Sequence, residues 1–216
     1  MYRQKRMEMF KEIDIYPVTC EKLSQGRDNI SVLEEVLAAG AKIVQLREKE
    51  WSKHKLYHQA LEFKKQTQKY RALLIVNDHV DVALAAGADG VHLGRNDLPL
   101  AAARSIAPDL ILGASSHSLD QALEAQEAGA DYVNIGPLFT TSTKEADTPL
   151  GVEAINRIAP RLNIFFTVMG GITNDNIEQV LEAGASRIAM VSEITKARDI
   201  KEKVRELREK IWEYKQ

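Results

Sequence analysis

Short apolar runs alternate with longer amphipathic segments along nearly the whole chain. Eight of these runs are predicted strands, centred near Ile15, Val44, Ile75, Val91, Leu112, Val133, Phe166 and Ala189. Each run is followed by a predicted helix, as at 52–70, 119–128 and 174–183, and a charged helix at 197–216 closes the chain. Several strands are continuously apolar, as expected for parallel strands that are buried on both faces.

A repeated phrase supports this alternation. LAAGAKIVQLRE, LAAGADGVHLG, EAGADYVNIGP and EAGASRIAMVS each place a glycine between the end of a helix and a strand. We expect Gly40, Gly87, Gly129 and Gly184 to adopt positive φ there. Eight strand–helix units in one chain of this length predict an α/β fold, the (β/α)8 TIM barrel. A doubly wound open sheet is the alternative, but no G-x-G-x-x-G motif opens the first helix.

The first thirteen residues precede the barrel. They are charged, with apolar side chains at Met7, Met9, Phe10 and Ile13. We predict a short extra helix over 1–13, with a disordered tail as the alternative. No linker or low-complexity segment divides the chain, so we expect 1–216 to form a single domain.

Composition narrows the classes of function. The chain has 216 residues, of which 44% are hydrophobic and 28% are charged, and its net charge is -2. These values suit a domain with a substantial core and give no basic field for nucleic acid. No apolar run reaches membrane length, and Cys20 is the only cysteine. We therefore expect a cytoplasmic protein with small-molecule ligands and neither nucleic-acid nor membrane partners.

Polar residues follow the predicted strands, and the carboxyl ends of barrel strands are where TIM-barrel sites lie. Gln45, Arg47 and Lys49 alternate along the second strand and should share its inward face. Two cations pointing into a barrel need an anionic ligand to offset their desolvation. The alternative is that Arg47 and Lys49 pair with the neighbouring Glu48 or Glu50.

Two carboxylates follow the third and fourth strands. Asp78 and Asp97 are oxygen ligands of the kind that Mg²⁺ prefers, and no cysteine or helical histidine pair accompanies them. The alternatives are a helix N-cap at Asp78 and a turn at Asp97. With the cations nearby, a metal-bridged diphosphate accounts for both carboxylates.

The sixth strand opens into the sequence GPLFTTSTK at 136–144. Its hydroxyls and its lysine suit an anionic, oxygen-rich group, although a solvated loop has a similar composition. Gly170-Gly171 and Val191-Ser192 follow strands seven and eight, where barrels commonly hold a phosphate with backbone N–H groups. His79, His92 and His117 lie near strand ends and could orient neighbours, without the spacing of a nucleophilic triad.

The chain resembles the thiamine-phosphate synthase family in several motifs that occur in order. They are VQLREK, IVNDHVDVALAAGADGVHLG, NDLP, GASSHS, GADYVNIGPLFTTSTK and GGIT. The resemblance extends from the first strand to the last helix. It implies a transferase that joins hydroxymethylpyrimidine diphosphate to a thiazole phosphate and releases pyrophosphate. The implied mechanism is dissociative, through a pyrimidine-stabilised carbocation, with Mg²⁺ as the cofactor.

The resemblance also implies residue roles. The pyrimidine diphosphate would contact Gln45, Leu46, Arg47, Glu48, Lys49, Asn77, Ser115 and Lys144, of which Arg47, Lys49, Ser115 and Lys144 would be catalytic. Asp78 and Asp97 would hold Mg²⁺. The thiazole phosphate would contact Thr141, Ser142, Thr143, Gly171, Val191 and Ser192. The sequence leaves open whether the chain forms a homo-oligomer.

Two positions depart from the family pattern, Asn134 for a small residue and Met169 for a branched aliphatic one. The nearest rival is a thiazole tautomerase on the same barrel, which resembles the chain less because it has histidine where Pro137 stands. A non-catalytic phosphate-binding or regulatory barrel is the second rival, and it leaves the carboxylate pair unexplained.

Overall fold

Eight parallel strands close into a barrel in the computed structural model, which describes residues 2–141 and 148–214. Each strand pairs with the next in the chain, and the eighth pairs with the first through Ile15 and Ile188. The strands are β1 (Ile15–Thr19), β2 (Ile43–Leu46), β3 (Leu73–Asn77), β4 (Gly90–Leu93), β5 (Ile111–Ser116), β6 (Tyr132–Ile135), β7 (Phe165–Val168) and β8 (Ile188–Met190). The predicted (β/α)8 barrel is confirmed, and the open-sheet alternative is wrong.

Helices surround the barrel. They are α1 (Tyr2–Lys11), α2 (Asn29–Ala38), α3 (Lys53–Tyr70), α4 (Val80–Ala85), α5 (Leu100–Ile106), α6 (Leu119–Glu127), α7 (Glu153–Ile158), α8 (Ile177–Glu182), α9 (Ser192–Thr195) and α10 (Ile200–Glu213). Side-chain caps set several starts, because Ser52 accepts from the Lys55 N–H and Asp199 from the Glu202 N–H. Helix α8 begins later than predicted, since Asn176 forms a turn by accepting from the Thr173 N–H.

Positive φ occurs at the repeated glycines, as predicted. The φ angles are 93° at Gly40, 65° at Gly87, 90° at Gly129 and 92° at Gly184. Each N–H bonds back to a carbonyl of the preceding helix, for example Gly40 to Leu37 at 2.9 Å. A glycine therefore ends the helix and turns the chain into the next strand at little steric cost.

Side-chain alternation divides the core into two layers. Leu46, Val76 and Val133 belong to the layer between the strands and the helices. Tyr16, Ile75 and Tyr132 belong to the barrel interior. Because successive strand residues point to opposite faces, each strand contributes to both layers.

The N-terminal helix covers the amino-terminal end of the barrel. Phe10 is fully buried, and its ring centroid lies 4.6 Å from that of Tyr132 and 5.9 Å from that of Phe165. Arg6 fixes the helix by donating to the Asp89 carboxylate at 3.2 Å and to the Asp109 carbonyl at 2.8 Å. The predicted extra helix is confirmed in place of a disordered tail. Within the described ranges, no helix combines the length and apolarity that crossing a membrane requires.

Candidate active site

A cavity of about 560 Å³ opens at the carboxyl ends of the strands, and residues on or just after all eight strands line it. Of the side chains and loop positions predicted for the site, it gathers Gln45, Arg47, Lys49, Asn77, Asp78, Asp97, Ser115, Thr141, Gly171, Val191 and Ser192. Ser142, Thr143 and Lys144 lie outside the described residues. The structure thus brings together groups from positions 45 to 192 of the chain.

The two cations of β2 reach this cavity. The Lys49 ammonium lies 2.6 Å from an Asp78 carboxylate oxygen. Glu50 pairs instead with Lys22 at 3.1 Å. Arg47 forms no ion pair with any residue that the structure describes. The alternative in which Arg47 and Lys49 pair with adjacent glutamates is wrong, and Arg47 offers its guanidinium to the cavity.

Leu46 and Glu48 do not line the cavity. Leu46 packs in the apolar layer between the strands and the helices. The Glu48 carboxylate accepts from the Glu21 N–H at 2.6 Å and from the Asn29 amide at 2.7 Å. Both side chains point away from the barrel interior because they alternate with Gln45, Arg47 and Lys49. Any contact that these two residues make with the pyrimidine diphosphate would therefore involve their backbone groups, and the predicted contact stays a prediction.

Asp78 and Asp97 form a carboxylate pair at the edge of the cavity. Burial, followed by hydrogen bonding with Asp78, raises the pKa of Asp97. Asp78 adopts φ of 64°, and its N–H donates to the His92 carbonyl at 2.8 Å. The N-cap alternative is wrong because His79 is the cap residue of α4. The turn at Asp97 is present, since one carboxylate oxygen accepts from the Gly94 N–H at 2.7 Å.

The chemistry of this pair fits a hard divalent cation. Two carboxylates in contact repel each other, and a cation between them would relieve that repulsion. No cluster of three or more His, Cys, Asp or Glu side chains suited to a metal exists in the described part of the chain. A cation held by two carboxylates would complete its shell with water or ligand oxygens, as Mg²⁺ commonly does.

A chain of buried hydrogen bonds crosses the barrel beneath the cavity. The Gln45 amide donates to the Tyr16 hydroxyl, and the Tyr16 and Tyr132 hydroxyls are 3.0 Å apart. The Tyr132 hydroxyl lies 3.0 Å from His92 Nδ1, and His92 Nε2 lies 3.0 Å from Ser115 Oγ. Burial lowers the pKa of His92 to about 4, so its imidazole is neutral near neutral pH.

Our sequence prediction missed both tyrosines. We assigned Tyr16 and Tyr132 to strands without a site role, although His92 was expected to orient a neighbour. The available signal was alternation, because Tyr16 shares a face with Val18 and Tyr132 shares one with Asn134. A large polar aromatic residue on an inward face of a barrel strand needs a hydrogen-bond partner there.

The ends of β6 and β7 shape the opposite side of the cavity. Gly171 adopts φ of 64°, and a Cβ there would lie 2.4 Å from the Thr140 carbonyl oxygen. The N–H groups of Leu138 and Phe139 donate to the carbonyls of Met169 and Gly170 at 3.0 and 2.9 Å. Glycine at 171 therefore lets two backbone segments meet, and its own N–H donates to no group in the described residues.

The two positions expected to depart from the pattern of the resembled family, Asn134 and Met169, both line the cavity. Asn134 is 4% exposed, and the Thr167 hydroxyl is 2.8 Å from its amide oxygen. Met169 follows β7 and contributes its thioether side chain to the cavity wall. Asn134 faces inward because it alternates with Val133, which packs against the helices.

One cavity at the end of the closed barrel is lined by cations, a carboxylate pair and a wall that contains glycines. These features define a TIM-barrel enzyme that acts on anionic substrates. A family described as thiamine monophosphate synthase matches residues 15–194. This chain therefore belongs to the thiamine monophosphate synthase family.

Similar proteins agree over nearly the full length. A thiamine-phosphate synthase of Dictyoglomus turgidum is 40% identical over 209 residues, covering 96% of this chain and 94% of the relative. One from Caldicellulosiruptor bescii is 43% identical over 209 residues, covering 96% and 95%. A solved thiamine phosphate pyrophosphorylase from Pyrococcus furiosus superposes with a TM-score of 0.87 at 37% identity, covering 94% of this chain and 96% of that one.

Proposed function

We propose that this enzyme is a thiamine-phosphate synthase, which joins hydroxymethylpyrimidine diphosphate to a thiazole phosphate and releases pyrophosphate. The observation that carries the proposal is that Arg47, Lys49, Asp78 and Asp97 line one cavity, in which Lys49 contacts Asp78. This set suits a diphosphate leaving group, and the relatives of high coverage bear the same name.

The pyrimidine diphosphate would occupy the side of the cavity formed by β2 to β5. Gln45, Asn77 and Ser115 would contact the heterocycle, and Arg47 and Lys49 would neutralise the diphosphate. A guanidinium suits this role because its fixed N–H groups match phosphate oxygens. Lys144 would add a third cation, as the sequence predicts.

The thiazole phosphate would lie on the opposite side, near Gly171, Val191 and Ser192. The N–H of Gly171, which donates to no group in the described ranges, would supply a backbone donor for a phosphate oxygen. Thr141 lines the same cavity, and the neighbouring Ser142 and Thr143 complete the predicted hydroxyl set. The two substrates would then meet in the centre of the cavity.

The reaction breaks the bond between the pyrimidine methylene carbon and the diphosphate oxygen. The electron pair leaves with the diphosphate, and the thiazole nitrogen then forms a bond to the methylene cation. The protein needs no nucleophile for this sequence. Its contribution is to place the two reactants and to stabilise the negative charge that develops on the leaving oxygen.

Asp78 and Asp97 would hold Mg²⁺. When bound, the ion would supply further positive charge at the diphosphate. Lys49 contacts Asp78 in this structure, so the same ammonium can exchange between that carboxylate and a diphosphate oxygen. A cytoplasmic location fits the proposal, because both substrates carry phosphate groups.

Coupled product formation tests the proposal. Incubation with both substrates and Mg²⁺ should yield thiamine phosphate and an equal amount of pyrophosphate, and a chelator should stop the reaction. No coupled product with Mg²⁺ present would refute the synthase. Isomerisation of the thiazole without coupling would indicate the tautomerase instead.

A pair of lysine variants tests the role of the cations. Lys49→Ala should lower kcat by about a hundredfold, the cost typical of removing one group that stabilises transition-state charge. Lys53→Ala is the matched control. Lys53 is also an exposed lysine, and it pairs with Asp81 at 2.8 Å, but it does not line the cavity. Lys144→Ala should likewise reduce turnover far more than it changes Tm. Equal losses in the Lys49 and Lys53 variants would contradict the assignment.

A further inference from the structure

The buried hydrogen-bond chain beneath the cavity joins two side chains that face the ligand. Gln45 lies on β2 and Ser115 on β5, three strands apart around the barrel. Tyr16, Tyr132 and His92 connect them through four contacts of 3.0 Å each. Tyr16 and His92 border the cavity, whereas Tyr132 does not line it.

The proton count of this chain restricts how it can be arranged. Each tyrosine carries one hydroxyl hydrogen, and a neutral imidazole carries one N–H. If the Gln45 amide donates to Tyr16, then Tyr16 donates to Tyr132 and Tyr132 donates to His92 Nδ1. His92 Nε2 must then donate to Ser115, whose hydroxyl hydrogen is left for the ligand.

The reverse arrangement is also complete once the Gln45 amide turns by about 180°, which exchanges its nitrogen and oxygen beside Tyr16. Ser115 then donates to His92, His92 to Tyr132, Tyr132 to Tyr16, and Tyr16 to the amide oxygen of Gln45. In the first arrangement Gln45 offers its carbonyl to the ligand while Ser115 donates. In the second, Gln45 offers its N–H groups while Ser115 accepts. The amide group of Gln45 that points away from Tyr16 is therefore opposite in hydrogen-bond polarity to the group that Ser115 presents in both arrangements.

Mixed arrangements are costly. They leave two donors facing each other or one buried group without a partner, in a region where Tyr16 is 1% and Tyr132 0% exposed. Buried polar groups without partners cost more than an ordinary hydrogen bond contributes. The chain therefore behaves as one unit with two directions.

We propose that Tyr132 is a positioning residue that couples the amide of Gln45 to the hydroxyl of Ser115, so that together they select a planar heterocycle with a donor on one edge and an acceptor on the other. This inference rests on the proposed function for the identity of the heterocycle, the pyrimidine. It adds a residue that touches no substrate and acts through Tyr16 and His92.

A triple-mutant cycle tests the coupling. Gln45→Ala, Ser115→Ala and their combination are made in the wild type and again in Tyr132→Phe, which removes one hydroxyl and keeps the ring that packs on Phe10. Binding of the pyrimidine diphosphate is measured by titration calorimetry, and kcat and KM by thiamine phosphate formation. Thr67→Val is the control for loss of a buried hydroxyl outside the cavity.

We expect Gln45 and Ser115 to show a coupling of about threefold to tenfold in Kd that falls below about twofold in Tyr132→Phe. Tyr132→Phe alone should raise the Kd and KM of the pyrimidine substrate by about tenfold and leave the KM of the thiazole phosphate unchanged. Thr67→Val should leave both KM values unchanged.

Several results would overturn the proposal. Coupling that survives in Tyr132→Phe would be carried by the ligand rather than by the buried chain. An equal rise in KM for both substrates would show a general structural defect, and unchanged binding would remove the role of Tyr132. Because calorimetry needs no turnover, a wild type that binds the pyrimidine diphosphate but forms no product would refute the synthase and leave the coupling measurable. Absence of binding would overturn both.

Discussion

The buried imidazole of His92 makes the stability of the barrel depend on pH. Its ordinary pKa of 6.5 is lowered to about 4, chiefly by burial. Between these values the unfolded chain binds more protons than the folded protein, so the free energy of unfolding falls as the pH drops through this window. A pKa change of this size corresponds to about 3 kcal/mol in total, and roughly 2 kcal/mol of it is lost by about pH 5.

Urea denaturation from about pH 7.5 to about pH 5 measures this effect. His92→Gln removes the titration while keeping groups that can bond to Tyr132 and Ser115, so its free energy of unfolding should fall by roughly 2 kcal/mol less than that of the wild type over the same range. The comparison concerns slopes, because the variant also has a different absolute stability. Parallel profiles for wild type and His92→Gln would refute the reasoning.

Two further predictions concern the two ends of the barrel. Phe10→Ala should lower the free energy of unfolding by about 3–5 kcal/mol because it leaves a cavity under Tyr132, whereas Tyr2→Ala, at a residue 72% exposed, should change it little. Enzyme that remains folded should keep its kcat, and a matching loss of kcat would contradict the structural role of Phe10. Gly171→Ala should raise the KM of the thiazole phosphate by about tenfold, since the added Cβ would displace the Thr140 backbone. Gly87→Ala is the matched control, because Gly87 has a similar φ of 65° and a Cβ added there would meet no atom within 4 Å. Equal effects of the two glycine variants on KM would show that backbone strain alone is responsible.

Much of the site could be predicted because its residues carry local signals. Gln45, Arg47 and Lys49 alternate along one strand, so their shared face follows from strand geometry alone. The same rule places the side chains of Leu46 and Glu48 on the other face, so their predicted contacts with the pyrimidine diphosphate depend on backbone groups. Asp78 and Asp97 could be placed together once the strands were counted, because neighbouring parallel strands bring their carboxyl ends to one edge.

The sequence itself determined the order of the strands, the glycines that end the helices and the polar residues at the strand ends. Each of these depends on periodicity or on the φ angle of one residue. The tertiary structure alone decided which charges and hydroxyls meet. Lys49 bonds to Asp78 rather than to the adjacent Glu50, and Tyr16 bonds to Tyr132, 116 positions away. Such partners are chosen by closure of the barrel, because the side chains that share its interior come from strands that are distant in the chain.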